Sequence, residues 1–332
     1  MMKLAKERGL SPRPWSAEAL AYWHRANKLQ AANLAGKKIK TGDDLQDVIS
    51  IYDTTLRRYA GFSNVLEALW YGDEAPKAAK NKAYPHERWD RAEGGHAWLY
   101  LCLVHRITGS GASFERDHGW RNTVVPELAS KPIDQRAEFI KTYNYKPIFT
   151  SIGNQIPAFR PKTLDVCKNS GHEYLGVIAP ELVIRVYNEL EGRALYHGPM
   201  GIKDAVDTVL TLHQAMGQRN FRFVFTAWVM DIAEYMPHLV DPKSDCYHGK
   251  NAIEAMELCF DYRQWGYKKQ QFYDAATRLF ADVTGTNPMD VEDAAPGCDL
   301  IRWVENYIPR KGYEHFKGFN SSCLIYTKGR QP

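Results

Sequence analysis

The sequence predicts an all-α protein whose centre is a pair of helices joined by a tight glycine hairpin. Apolar residues recur at helical spacing through most of the 332 residues, and no alternation of apolar and polar residues persists beyond a few positions. Helical stretches do not alternate with strands, so an α/β architecture is not indicated. We therefore expect one helical domain over residues 1–308, followed by a short tail over residues 309–332.

The central stretch runs from Gly201 to Asn251. The apolar stripe of its first helix consists of Ile202, Val206, Val209, Leu210, His213 and Met216. Gly217 follows this stripe, and a glycine there suits the left-handed residue that ends many helices. Asn220 is a suitable N-cap for a second helix, which Pro237 ends. This second helix is apolar on nearly all sides, so we expect it at the centre of the fold.

Asp231 is the anomaly within the second helix. At helical spacing its carboxylate shares a face with Val224, Trp228 and Tyr235, which are large and apolar. Burying a carboxylate is costly unless it is paired or its pKa rises until it is neutral. Two interpretations stay open: a structural acid that caps a loop or pairs with an arginine, and a catalytic acid or base.

Further helices are expected on both sides of the central pair. A helix capped by Ser16 extends through Ala35, and Gly36 ends it. The next predicted helix starts at Thr41 or Asp43 and extends to Tyr59. The remaining predicted helices are residues 65–71, 95–107, 179–195, 252–262, 271–283 and 299–307. Glycine, proline or charged residues separate them, as is typical of surface loops.

Composition and charge exclude several classes of protein. With 44% hydrophobic and 25% charged residues, the mixture is that of an ordinary globular chain. The net charge of +4 is small, so an argument for nucleic-acid binding must come from local patches. The N-terminus lacks the apolar segment of a signal peptide, and no run is long enough to span a bilayer. We expect a cytoplasmic protein with no membrane partner.

The cysteines and histidines do not predict a metal site. The six cysteines are Cys102, Cys167, Cys246, Cys259, Cys298 and Cys323. They form no CxxC pair, and the histidines show no HxxxH spacing. Several cysteines lie in apolar helical stretches, as buried reduced thiols do. We therefore expect no metal, no cofactor and no disulfide.

Two loops carry polar side chains suited to binding a nucleobase. Gly109-Ser110-Gly111 exposes backbone N–H groups that can hold an anion, although no lysine completes a P-loop. The residues that follow it include Trp120, Arg121 and Asn122. The second loop contains Asn154 and Gln155 between two prolines, and an amide places a donor beside an acceptor, as reading a base edge requires. An ordinary turn is the open alternative for each loop.

The tail over residues 309–332 is basic and aromatic. Its cations are Arg310, Lys311, Lys317, Lys328 and Arg330, set among Tyr313, Phe316, Phe319 and Tyr326. Basic side chains neutralise phosphates while aromatic rings stack on bases, so this composition fits nucleic-acid binding. A solvated basic chain end is the open alternative.

Three motifs carry a family resemblance. They are Arg106–Gly111 with His118–Thr123, Thr150–Pro157, and Phe223–Tyr235 followed by Gly249–Ala252. Over residues 95–262 the chain resembles the α-glutamyl/putrescinyl thymine pyrophosphorylase family. The resemblance implies a fold like that of helix-hairpin-helix DNA glycosylases. It also implies one of two activities on DNA. One is the building of hypermodified thymines, and the other is the excision of modified bases as antiphage defence.

The resemblance also implies double-stranded DNA with modified bases as the partner. The candidate catalytic residues are Asp231, Asp245, Asp241 and Asn122. The candidate base-binding residues are Asn154, Gln155, Trp120 and Arg121. The candidate DNA-binding residues are Gly217, Arg219, Lys250, Asn251, Arg310 and Lys311. The acid of helix-hairpin-helix glycosylases lies further beyond the hairpin glycine than Asp231 does and nearer than Asp241, so the choice among the three aspartates stays open.

Three functions follow from these residues. A DNA glycosylase would flip a bulky modified pyrimidine from the duplex, and its aspartate would stabilise the developing oxocarbenium sugar or align a water molecule. A transferase would use the aspartate to deprotonate an amino acid or amine that displaces pyrophosphate from 5-pyrophosphoryloxymethyl-uracil. A DNA-binding module would need neither reaction. The glycosylase is the preferred hypothesis.

Overall fold

The computed structural model describes residues 1–34, 92–108, 128, 130–142, 162–165, 167, 170–220, 222–292, 300–301 and 304. Helix accounts for 74% of these residues, so the prediction of a predominantly helical fold is confirmed. The predicted helices at residues 41–59 and 65–71, and the tail, lie outside the described residues. The chain divides into two compact units, a central unit from Gly61 to Pro242 and a terminal unit from Met1–Ala60 and Lys243–Pro332. The single-domain boundary at residue 308 stays a prediction.

The central unit contains the predicted helical pair and the helices around it. Its elements that precede the pair are α3 (Ala92–Thr108), α4 (Ile133–Thr142), α5 (Ser170–Glu173), a π-helical turn (Tyr174–Ile178) and α6 (Ala179–His197). The pair itself consists of α7 (Ile202–Ala215) and α8 (Arg222–Tyr235). A short parallel bridge joins β2 (Met200–Gly201) to β3 (Val240–Asp241) at the two ends of the pair.

Helix α8 is buried along nearly its whole length, as its apolar sequence predicts. Trp228 and Trp98, on α8 and α3, are both fully buried. The indole nitrogen of Trp228 donates a hydrogen bond to the Leu99 carbonyl at 2.8 Å. Trp98 packs edge-on against Tyr235 with ring centroids 5.0 Å apart. Because each indole carries a large apolar surface, these contacts fix α3 against α8.

The π-helical turn interrupts an otherwise continuous helix over residues 170–197. Within the described segments, Tyr100 on α3 donates from its hydroxyl to the carbonyl of Leu175 in this turn, at 2.5 Å. Just before it, Glu173 accepts hydrogen bonds from the backbone N–H groups of Thr163 and Leu164, at 2.6 and 3.1 Å. An interior widening of this kind needs external partners for its backbone groups, and Tyr100 supplies one.

The terminal unit brings the first and last parts of the chain together. Its elements before the central unit are α1 (Met2–Glu7), β1 (Ser11–Pro12) and α2 (Ser16–Leu34). Its later elements are α9 (Lys250–Cys259), β4 (Phe260–Asp261), a 3₁₀ helix (Arg263–Lys268), α10 (Lys269–Thr284) and α11 (Pro288–Glu292). Strands β1 and β4 pair antiparallel. Residues 300, 301 and 304 are helical, within the helix predicted at residues 299–307.

Aromatic side chains also form the core of the terminal unit. Trp23 packs edge-on against Phe280 at 5.1 Å, and Trp15 donates to the Leu258 carbonyl at 2.7 Å. Ser16 was expected as an N-cap, but it lies in the first turn of α2 and its hydroxyl donates to the carbonyls of Arg13 and Cys259. The hydroxyl thus ties the helix start to the strand pair, because those carbonyls flank β1 and β4.

The other predicted helix positions agree with the structure to within a few residues. Helices α3, α6, α7, α8, α9 and α10 each lie where apolar spacing predicts them. The sequence predictions did not include α1, α4, α5, α11, the π-helical turn or the 3₁₀ helix. Within the described segments, no helix is both long enough and apolar enough to cross a bilayer.

Candidate functional site

The hairpin between α7 and α8 has the conformation that its sequence predicts. Gly217 adopts φ +74, the left-handed conformation that favours glycine. Its N–H donates to the Gln214 carbonyl at 2.8 Å, and the Gln218 N–H donates to the His213 carbonyl at 3.1 Å. This pair of bonds is a Schellman motif. The prediction that Gly217 ends the first helix is confirmed.

The start of α8 is capped as predicted. The side-chain oxygen of Asn220 accepts a hydrogen bond from the Arg222 N–H at 2.8 Å, which is the bond of an N-cap residue. Arg219, Asn220 and Arg222 are all exposed, and Phe223 is 45% exposed. The hairpin therefore presents two arginines, an amide and an aromatic ring to solvent, next to the amino end of a helix.

A buried histidine lies beneath the hairpin. His213 is fully buried on α7, and its Nε2 is 3.1 Å from the hydroxyl of Tyr174. Its ring packs edge-on against Phe225 of α8 at 4.7 Å. Burial lowers the pKa of His213 to about 4, and a hydrogen bond with the backbone of Arg219 acts in the opposite direction. The neutral imidazole thus connects the π-helical turn, both helices of the pair and the hairpin.

Asp231 forms an ion pair with Arg106. The Arg106 Nε and Nη2 atoms each lie 2.5 Å from a different Asp231 carboxylate oxygen. Asp231 is 1% exposed and Arg106 6%. A two-bond arginine pair compensates the buried charge and fixes its geometry. Of the two interpretations that the sequence leaves open, the structure matches the arginine-paired structural acid.

The Arg106–Asp231 pair connects two of the motifs that carry the family resemblance. Arg106 lies in the last turn of α3, three positions before Gly109 in the sequence. Asp231 lies in the middle of α8. The pair therefore joins the last turn of α3 to the middle of α8. Proton transfer by Asp231 would require this pair to open.

Asp241 occupies a different setting from Asp231. It lies in β3, half-buried, and pairs in register with Gly201. Gly201 is the residue before the first turn of α7, where negative charge is favourable because the helix dipole is positive there. Asp241 and the hairpin belong to the same unit.

The other predicted residues with described positions belong to the terminal unit. Asp245 accepts two hydrogen bonds from Arg278, both at 2.8 Å. Lys250, at the start of α9, pairs with Glu254 at 3.7 Å and is exposed. Asn251 follows it in α9. Asp245 is thus a second arginine-paired acid.

The remaining predicted site residues lie outside the described part of the chain. They are Asn122, Asn154, Gln155, Trp120, Arg121, Arg310 and Lys311. Their assignments as base-binding, catalytic or DNA-binding residues stay predictions.

Two groups in the central unit were missed by the sequence predictions of the site. The first is Arg106, the partner of Asp231, and the second is the His213–Tyr174 pair. A signal for the first was present, because Arg106 and Asp231 are opposite charges that each lie in a nearly continuous apolar helix. No comparable signal identifies Tyr174 as the partner of a histidine.

Thiols and metal ligands give no further site among the described residues. Cys102, Cys167, Cys246 and Cys259 are buried thiols that form no disulfide. No group of three or more histidine, cysteine or acidic side chains in the described segments could hold a metal ion. Comparison of the chain with protein-family models, with curated proteins and with solved structures gives no match.

Proposed function

We propose that the protein is a DNA glycosylase that binds duplex DNA through the α7–α8 hairpin and excises a bulky modified pyrimidine. The proposal includes the finer fold assignment, a helical domain of the helix-hairpin-helix DNA glycosylase type. Its biological setting would be defence against phages with modified DNA, as the family resemblance implies.

The observation that carries the proposal is the hairpin itself. Gly217 has no Cβ, so a phosphate can approach the backbone closely. The amino end of α8 favours an anion through its N–H groups and its dipole. The exposed arginines Arg219 and Arg222 add positive charge at the same place. These are contacts to the DNA backbone, which anchor a duplex without reading its sequence.

Asp241 is the carboxylate that we assign to catalysis. It follows Gly217 by 24 residues, lies in the same unit and is half-buried. Asp231 and Asp245 would each have to leave a two-bond arginine pair before acting on a sugar or a water molecule. In the proposed reaction, Asp241 stabilises the positive charge that develops on the sugar as the glycosidic bond breaks.

The product formed from modified duplex DNA tests the reaction. The protein is incubated with duplexes that carry different pyrimidine modifications, and the strands are then treated with alkali. Cleavage at the modified position indicates an abasic site and supports the glycosylase. A base on an intact strand that has exchanged its pyrophosphate for an added amino acid or amine, with release of pyrophosphate, would instead support the transferase.

Matched variants test the assignment of residues. Asp241→Asn is expected to lower the excision rate at least about 100-fold without loss of folding. Arg219→Ala and Arg222→Ala are each expected to reduce the salt dependence of duplex binding by about 0.9 in log–log slope. Arg193→Ala removes another exposed arginine of the central unit and serves as the control. Unchanged slopes in both hairpin variants would contradict the proposed anchor.

A DNA-binding module without catalytic activity is the second candidate. The observation that favours it is that Asp231 and Asp245 are both held by arginines. This candidate predicts salt-dependent duplex binding that needs the hairpin arginines, together with unchanged DNA in every modified substrate. Excision that depends on Asp241 would exclude it.

A further inference from the structure

An exposed basic and aromatic turn in the terminal unit consists of the 3₁₀ helix after β4 and the first three residues of α10. We call residues 263–271 the basic aromatic turn. Tyr267 is 95% exposed, the largest exposed fraction among the large hydrophobic residues that the structure describes. Gly266 precedes it with φ +50, and a Cβ there would meet nothing within 4 Å. The chain therefore presents Tyr267 at an open tip.

The base of the turn is held firmly. Trp265 packs against Phe272 with ring centroids 6.1 Å apart. Gln264 donates to the Gly9 carbonyl at 2.7 Å and accepts from the Ser11 hydroxyl at 2.8 Å. Because neighbouring residues are anchored in this way, Tyr267 is displayed on a fixed support, and less conformational entropy is lost when a ligand binds.

The charge of the turn is positive. Residues 263–271 contain Arg263, Lys268 and Lys269 and no acidic residue, and all three cations are exposed. Asp261 pairs with Arg263, and the Nζ of Lys269 lies 4.4 Å from the ring centroid of Tyr262. Lys268 directly follows the exposed ring. A flat aromatic face next to ammonium groups offers stacking to a base and neutralisation to the adjoining phosphate.

We propose that the basic aromatic turn is a binding site for a single-stranded stretch of DNA, in which Tyr267 stacks on an unpaired base and Lys268 and Lys269 contact phosphates. An unpaired base is required because the π-face of a paired base is covered by its neighbours in the duplex. The inference takes DNA as the ligand from the proposed function, but it requires no base excision.

Binding of a fluorescently labelled oligothymidylate, measured by anisotropy over a range of salt concentrations, tests the site in the full-length protein. Tyr267→Ala is expected to weaken binding roughly five- to 150-fold, the effect of removing one stacked base. Tyr267→Trp is expected to bind at least as tightly as the unmodified protein. Lys268→Ala with Lys269→Ala is expected to reduce the log–log salt slope by about 1.4, since each single-strand phosphate contact contributes about 0.7.

Tyr196→Ala is the matched control, because Tyr196 is 82% exposed on α6 in the central unit; it is expected to leave binding unchanged. Equal losses in Tyr267→Ala and Tyr196→Ala would overturn the inference. The inference would also be overturned if heparin bound as tightly as oligothymidylate and Tyr267→Ala weakened neither. Binding of anionic lipid vesicles that depends on Tyr267, without binding of the single strand, would overturn it as well. If the protein excises modified bases but Tyr267→Ala does not weaken strand binding, this site is refuted and the proposed function is not. If the protein excises no base, the strand-binding experiment still tests this site.

Discussion

Replacing Asp231 by asparagine tests whether the Arg106–Asp231 pair is structural. Asparagine keeps the shape of the side chain but removes its charge, so Arg106 becomes a buried cation without its counter-ion. Two unit charges about 4 Å apart attract by roughly 4 kcal/mol at an effective dielectric constant of about 20. Removal of one partner from a buried pair costs about 3–5 kcal/mol. That is a large part of the free energy of unfolding of a typical domain, about 5–15 kcal/mol.

Urea unfolding followed by circular dichroism measures this loss. For a loss of about 4 kcal/mol and an m-value of about 2 kcal/mol per molar, the midpoint falls by about 2 M. Asp245→Asn is the matched control, because its arginine pair is largely exposed and is expected to contribute less than about 1 kcal/mol. The double variant Arg106→Met with Asp231→Leu is expected to recover most of the stability, since it leaves no unpaired buried charge.

Two results would refute this reasoning. One is a midpoint for Asp231→Asn that lies within about 0.5 M of the unmodified protein. The other is a stable, fully folded Asp231→Asn protein that has lost only its activity on DNA, which would return Asp231 to the catalytic group. The folded fraction therefore has to be measured before any activity of this variant is interpreted.

Three further predictions concern burial and packing. Burial lowers the pKa of His213 from 6.5 to about 4 in the folded state. Between these pH values His213 is therefore protonated in the unfolded chain and neutral in the folded protein. The contribution of this residue to the free energy of unfolding is fully present above pH 6.5, and about 3 kcal/mol of it is lost as the pH falls to about 4. Urea unfolding of His213→Gln over this pH range should lack this part of the pH dependence. In Gly95→Ala the new Cβ would overlap the Tyr187 ring, which should lower the free energy of unfolding by about 1–3 kcal/mol. Gly192→Ala is the control, because the space around its Cβ is open, and it should raise the free energy of unfolding by about 0.5–1 kcal/mol. Thermal or urea unfolding measures both changes. Burial raises the pKa of Cys259 to about 12, so peptide mapping after iodoacetamide treatment should find it unmodified in the native protein and alkylated after unfolding.

Much of the helical framework could be predicted from the sequence, because a helix is stabilised by interactions between residues three and four apart. The apolar stripe of α7, the left-handed Gly217 and the Asn220 cap all depend on such neighbours. The all-round apolar composition of α8 likewise indicated its buried position. By contrast, Ser16 could not be placed correctly, because its hydroxyl bonds to Cys259, 243 positions away.

The sequence by itself determined that a charged group lies within the most apolar helix of the chain, because helical spacing assigns Asp231 to a face of large apolar residues. Only the tertiary structure decided what that charge does. Arg106 is separated from Asp231 by 125 positions, and no local periodicity specifies contacts over such a distance. The packing of α3 against α8 brings the two charges together, and the cost of desolvating either one alone is the physical reason that the carboxylate is paired with an arginine.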